Sequence, residues 1–90
     1  WTRHIVSCER KNLSKIHSIL PETLTELNYE GNSIKQLKTS NFLGKIFLQK
    51  LNLAKNHLQL LTNETFCGAM NLREINLSSN IHLKNLWVER

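Results

Sequence analysis

Apolar and polar positions alternate in short bursts along this chain, and the bursts recur. Leu24, Leu27 and Tyr29 precede Asn32, Leu48, Leu51 and Leu53 precede Asn56, and Leu72, Ile75 and Leu77 precede Asn80. The three asparagines stand 24 residues apart and share the frame L-x-x-L-x-L-x-x-N. Downstream, Ile34, Leu37 and Phe42 are matched by Leu58, Leu61 and Phe66. In the third unit Leu83 and Leu86 fall one place late, which predicts a one-residue bulge around Ile81 and His82. The L-x-L alternation is the period of a strand with one apolar face. It predicts parallel strands around residues 26–29, 50–53 and 74–77, with a further pairing near Ile5-Val6-Ser7.

Each unit alone leaves its apolar face half covered, so only stacking on a neighbouring coil completes a core. The asparagine that ends each strand can bond the backbone of its own turn and of the next coil, a ladder for groups the turn leaves unpaired. Phe42 and Phe66 repeat on the far side of the coil and are expected to pack on one another as core. A four-stranded antiparallel domain would need hairpin turns of the Asn-Gly type, and the chain has none.

The repeat spacing resembles the leucine-rich-repeat family, and a 24-residue unit with a back-side Phe is similar to its extracellular subclass. The likeness spans roughly residues 5 to 88. It implies an α/β-type solenoid, a right-handed superhelix with short parallel β-strands on the concave face and irregular or 3-10 segments on the convex one. Ahead of the repeats, Ile5-Val6-Ser7-Cys8, then Leu13 and Ile16, then Leu20-Pro21 and Leu24, is similar to the N-terminal cap of secreted and cell-surface members, with His17 where a Pro is usual. The resemblance divides the chain into a cap, 1–23, and repeats 24–47, 48–71 and 72–90, the last incomplete. It implies that Cys8 pairs with a Cys outside this chain. The phrases Leu72-Arg73-Glu74-Ile75-Asn76-Leu77 and Asn63-Glu64-Thr65-Phe66 most resemble Toll-like receptors and related receptor ectodomains.

Composition adds compartment and charge. No apolar run approaches the length of a spanning helix, and Trp1-Thr2-Arg3-His4 does not read as a signal peptide, so any targeting segment is expected to have been removed or to lie upstream. Cys8 and Cys67 fit neither a zinc site nor a redox motif, and more than two coils separate them, beyond a disulfide's reach. Cys67, next to Phe66, is expected to be a buried free thiol. N-x-S/T sequons stand at Asn12, Asn63 and Asn76, which favours an extracellular or lumenal location. Twelve Lys and Arg against seven Asp and Glu leave a net charge of +5, a bias toward acidic partners.

The histidines His4, His17, His57 and His82 lie at no positions that would assemble a nucleophile, base and carboxylate, so the chain reads as a non-enzyme, and no cofactor is implied. His57 and His82 could face one another across consecutive coils and sense acid. The non-core strand residues form three rows on the concave face: Thr25, Gln49 and Arg73; Glu26, Lys50 and Glu74; Asn28, Asn52 and Asn76. The second row alternates in sign, and the third is all amide, offering donors and acceptors in register. Lys55 stands beyond the strand end with Gly31 and Ser79, while Lys35, Lys38, Lys45 and Lys84 fall on the ascending edge or convex side.

These ten strand and turn residues make a candidate ligand-binding surface, and the resemblance implies a protein or pathogen-derived ligand, or further repeats of the same receptor or a dimer partner. A structural or adhesive matrix or neuronal protein is the second reading, and a basic module binding nucleic acid or sulfated glycan the third. At the C-terminal end, Ile75, Leu77, Leu83, Leu86 and Val88 predict a coil with nothing stacked on it. Because Trp87-Val88-Glu89-Arg90 offers no polar cap, another segment or molecule is expected to cover that coil.

Overall fold

A computed structural model describes residues 4–62 and 64–85. Strands β1 (Ile5–Ser7), β2 (Glu26–Asn28), β3 (Lys50–Asn52) and β5 (Glu74–Asn76) form one parallel sheet in the order β1-β2-β3-β5. β4 (Leu60–Leu61) and β6 (Lys84–Asn85) pair in parallel as a second, two-stranded ladder. The only helix among the described residues is a 3-10 turn at Thr39–Asn41, so the α/β label does not extend to an α-helix there. The three repeat strands end one residue earlier than the alternation predicts, although the N–H groups of Tyr29 and Leu53 still bond the Asn52 and Asn76 carbonyls of the next coil.

Register is set by burial. Val6, Leu27, Leu51 and Ile75 occupy one row, Ile5, Glu26, Lys50 and Glu74 a second, and Ser7, Asn28, Asn52 and Asn76 a third. A slip of one residue would turn the leucines outward and the charges inward, so the apolar row fixes the pairing. Leu27, Leu51, Leu24, Leu48, Leu53, Leu58 and Ile34 are all at or below 2% exposed. Each such side chain contributes about 1.5 to 3 kcal/mol relative to exposure. Behind them Phe42 and Phe66 stack as the back-side repeat predicts, with ring centroids 5.3 Å apart. Gly68 lets that side close: a Cβ there would stand 2.6 Å from Leu43 Cα and 2.7 Å from the Phe42 carbonyl oxygen.

The asparagine ladder is present, but its rungs bond backward. Asn56 Nδ2 donates to the carbonyls of Leu53 and Ala54 in its own turn and of Tyr29 in the preceding coil, while its Oδ1 accepts the Ile34 N–H of that coil. Asn80 repeats the pattern on the Leu77 and Leu53 carbonyls and the Leu58 N–H. Asn32 does so on the Tyr29 and Cys8 carbonyls and the N–H groups of Lys11 and Leu13. The residue before each rung takes a left-handed backbone, as does its counterpart in the first coil: Arg10, Gly31, Lys55 and Ser79 have φ of 50°, 75°, 57° and 61°. That corner aims the next residue's amide into the coil. Only one of the four is glycine, and it is the one crossed by a neighbouring side chain: a Cβ on Gly31 would lie 2.7 Å from Arg10 Cγ.

Three further expectations are corrected. Leu60 pairs with Lys84 and Leu61 with Asn85, so the backbone keeps the 24-residue step and no residue is inserted at Ile81-His82. The late Leu83 instead reaches the core from within a turn closed by its own N–H on the Asn80 carbonyl, 3.0 Å away. That register also sets His57 opposite Ile81 and not His82, so the two imidazoles do not form a facing pair. Cys67 is exposed, because the tight contact of Gly68 with Leu43 leaves its predecessor on the outside of the bend. Both cysteines are free thiols. In the last coil Ile75 is 42% exposed, and Leu77 and Leu83 are half-buried; Leu86, Trp87 and Val88 lie outside the described residues.

Candidate protein-interaction surface

Alternation within each strand sends every second side chain away from the core, and pairing places those side chains about 5 Å apart across coils. A shallow depression of about 550 Å³ runs over this face, bounded by Ile5 and Ser7 at one end and by Arg73, Glu74 and Asn76 at the other. Of the predicted rows, Lys50, Arg73, Glu74 and Asn76 are exposed, and Glu26, Asn28, Gln49 and Asn52 are half-buried. Lys50 Nζ lies 3.7 Å from Glu74, the cross-strand neutralisation that the alternating row predicts.

Thr25 does not belong to the surface. It is 6% exposed, its hydroxyl donates to the His4 carbonyl at 3.0 Å, and it accepts the His4 N–H at 3.1 Å. Its position precedes the strand, where the chain still lies against the coil of β1. Behind the first row, whose Gln49 is half-buried and Arg73 exposed, runs a backbone seam. The carbonyls of His4, Thr25 and Gln49 each accept two consecutive N–H groups of the next coil.

The amide row is also less available than its spacing suggests. In each coil Asn Oδ1 accepts the N–H two residues on: Asn28 from Glu30, Asn52 from Ala54 and Asn76 from Ser78, all at 3.0 Å. The Nδ2 groups of the first two are engaged as well, Asn28 by Glu9 and Asn52 by Glu30 of the coil before. The corresponding place before Asn76 is Ala54, whose side chain has no acceptor, so the Asn76 amide donors have no partner among the described residues. Asn76 is the one amide of its row whose Nδ2 meets no acceptor among the described residues.

Beside the amides runs a charged ladder that the column reading missed. Arg10 lies 3.4 Å from Glu9 and 4.0 Å from Glu30, and Lys55 lies 3.7 Å from Glu30 on the other side. Signs thus alternate Glu9, Arg10, Glu30, Lys55, and Lys55 is the cationic end. Glu30 could have been found two places before Asn32. Glu9 and Arg10 could not be found by a 24-residue period, because the cap strand pairs at a separation of 21, Ser7 against Asn28. All these pairs are solvent-facing, so each adds only about 0 to 1 kcal/mol.

Beneath the sheet, Tyr29 is fully buried with its hydroxyl on the cap. The His17 N–H donates to it at 3.3 Å, and His17 Nδ1 meets the same oxygen. Burial holds the phenol pKa above its ordinary value, against the opposing His17 N–H and with a smaller contribution from Cys8.

Residues 22–81 match the family model described as Leucine rich repeat. The chain belongs to the leucine-rich-repeat family. Comparison with curated proteins gives no match. Leucine-rich repeats serve in protein–protein recognition and are typically non-enzymatic, which agrees with a site made of displayed side chains on a sheet. Among the described residues, no helix of this leucine-rich-repeat chain is long and apolar enough to cross a membrane. Of the three sequons, Asn12 is exposed after β1 and Asn76 is exposed on the strand face, while Asn63 lies outside the described residues.

Proposed function

We propose that this chain is an extracellular recognition module, the N-terminal portion of a receptor ectodomain resembling Toll-like receptors, which binds a protein or pathogen-derived ligand on its sheet face. The observation that carries the reading is the array at the β3–β5 end. There Lys50, Arg73, Glu74 and Asn76 offer both charges and an open amide at fixed spacing. Such an array suits a polar protein partner, because its rigid strands present groups without an ordering cost. In this reading residues 1–23 form the cap, the repeats continue as a right-handed superhelix, and Cys8 pairs with a Cys outside this chain. The sequons at Asn12, Asn63 and Asn76 support passage through the secretory pathway, with glycans on Asn12 and Asn63, whereas a glycan on Asn76 would take up the open amide and cover the sheet face.

Two experiments test the parts separately. A photo-crosslinking residue at position 50 or 73 is expected to trap a partner in the native extracellular setting, and the same residue at exposed Met70 is not. Equal trapping from all three positions would move the interface off the sheet. Passage of the chain through the secretory pathway is expected to give mobility shifts that a glycosidase reverses and that Asn12→Gln and Asn63→Gln each reduce, while Asn76→Gln leaves them unchanged. Full mobility without any shift would remove the extracellular assignment while leaving the sheet face as a binding surface.

A further inference from the structure

A second depression, about 850 Å³ in volume, lies between the cap segment and the ascending limbs of the first two repeats and shares no lining residue with the sheet face. Lys15, Lys35 and Lys38 line it. Lys15 comes from the cap coil and the other two from the next, joined there by the Ser33 N–H on the Leu13 carbonyl at 2.8 Å. All three are exposed. The ion pairs among the described residues engage Arg10, Lys50 and Lys55, and none engages these three. Among the described residues no carboxylate lines the depression; its remaining polar walls are hydroxyls and amides such as Gln36, Asn41 and Gln59.

We propose that this groove binds a sulfated saccharide. Three like charges gathered on adjacent coils repel one another, and neither a Glu nor an ion pair offsets them, so an anion seated there relieves repulsion as well as gaining attraction. Sulfates supply that anion, and the amides and hydroxyls between the lysines match sugar hydroxyls. Nucleic acid has the charge but lacks its second requirement, since single strands are held by bases stacked on aromatic faces. Among the described residues the one aromatic ring in the lining is His17, and it is taken up edge-on by Tyr29, ring centroids 5.8 Å apart.

The test uses the 90-residue chain and a heparin hexasaccharide, with the desulfated hexasaccharide and an oligothymidylate of equal charge as the other arms. Binding is expected for the sulfated sugar, with log K falling against log [NaCl] at a slope of about −2 to −3, the release expected for three contacts. Lys35→Gln with Lys38→Gln is expected to lose about tenfold or more in affinity and about two units of slope, whereas Lys35→Arg with Lys38→Arg retains binding. Lys11→Gln with Lys45→Gln removes the same net charge outside the groove and is expected to leave affinity within about twofold. Equal losses in the two Gln pairs would reduce the effect to net charge and overturn the site. Equal binding of the desulfated sugar or of the oligothymidylate would overturn the ligand class.

Discussion

Asn56 is the middle rung of the ladder, 3% exposed, and its replacement by Ala tests whether side-chain amides hold the coils together. The change strips the buried Ile34 N–H of its acceptor at 3.1 Å. It also removes donors from the Tyr29 and Leu53 carbonyls, each at 3.0 Å. These losses are unequal. The Tyr29 carbonyl keeps Asn32 Nδ2 at 2.8 Å, and the Leu53 carbonyl keeps Asn80 Nδ2 at 2.9 Å, because neighbouring rungs share each oxygen. The orphaned N–H dominates at about 1 to 3 kcal/mol, and the weakened carbonyls and the space left bring the total to about 2 to 4 kcal/mol. Asn56→Asp keeps the acceptor but turns a carboxylate toward three carbonyl oxygens, so at neutral pH it is expected to cost at least as much as Ala. Urea unfolding followed by circular dichroism reads both, with the m-value checked for constancy. A loss below about 1 kcal/mol for Asn56→Ala, or an Asp variant more stable than the Ala variant, would show that the rungs are incidental to the stack.

Leu51→Ala, at a position 2% exposed between two coils, is expected to cost about 2 to 5 kcal/mol in the same assay, and less than about 1 kcal/mol would remove it from the core. Gly68→Ala is expected to destabilise more than Gly31→Ala, since its Cβ meets Leu43 and Phe42 backbone while that on Gly31 meets a flexible Arg10 side chain; the reverse order in thermal melts would contradict the close approach at Phe42. Tyr29 is the chain's single tyrosine, so absorbance at about 295 nm follows its ionisation alone. Its raised folded pKa contributes stability that is complete below the unfolded value of about 10 and lost as pH rises through the folded value. Ionisation is therefore expected above about 10 and together with unfolding, and titration near 10 in a folded chain would refute its burial. Folded protein is expected to react with a thiol reagent at Cys67 before Cys8, the exposed before the half-buried sulfur, and the opposite order would reverse their placement.

The sequence by itself determined the stack. Leucines at a fixed step admit one arrangement that buries them all, so strand positions, parallel pairing, the Phe42–Phe66 contact and the existence of the ladder were legible from spacing alone. The same holds for the sign alternation that pairs Lys50 with Glu74, because a strand's period fixes which side chains share a face. What only the tertiary structure decided depends on neighbours distant in sequence. Thr25 reads as a surface residue until the cap coil is folded over it, and the amides of Asn28 and Asn52 read as free until Glu9 and Glu30 close on them. Ala54 then acquires a meaning no single repeat carries, as the place where that closure fails and Asn76 remains open. The basic groove is likewise invisible to a repeat frame, since Lys15 belongs to the cap and reaches Lys35 and Lys38 through a step of different length. Periodicity specifies which residues must be buried, whereas side chains on the surface take their partners from whatever the stacking brings within a few ångströms.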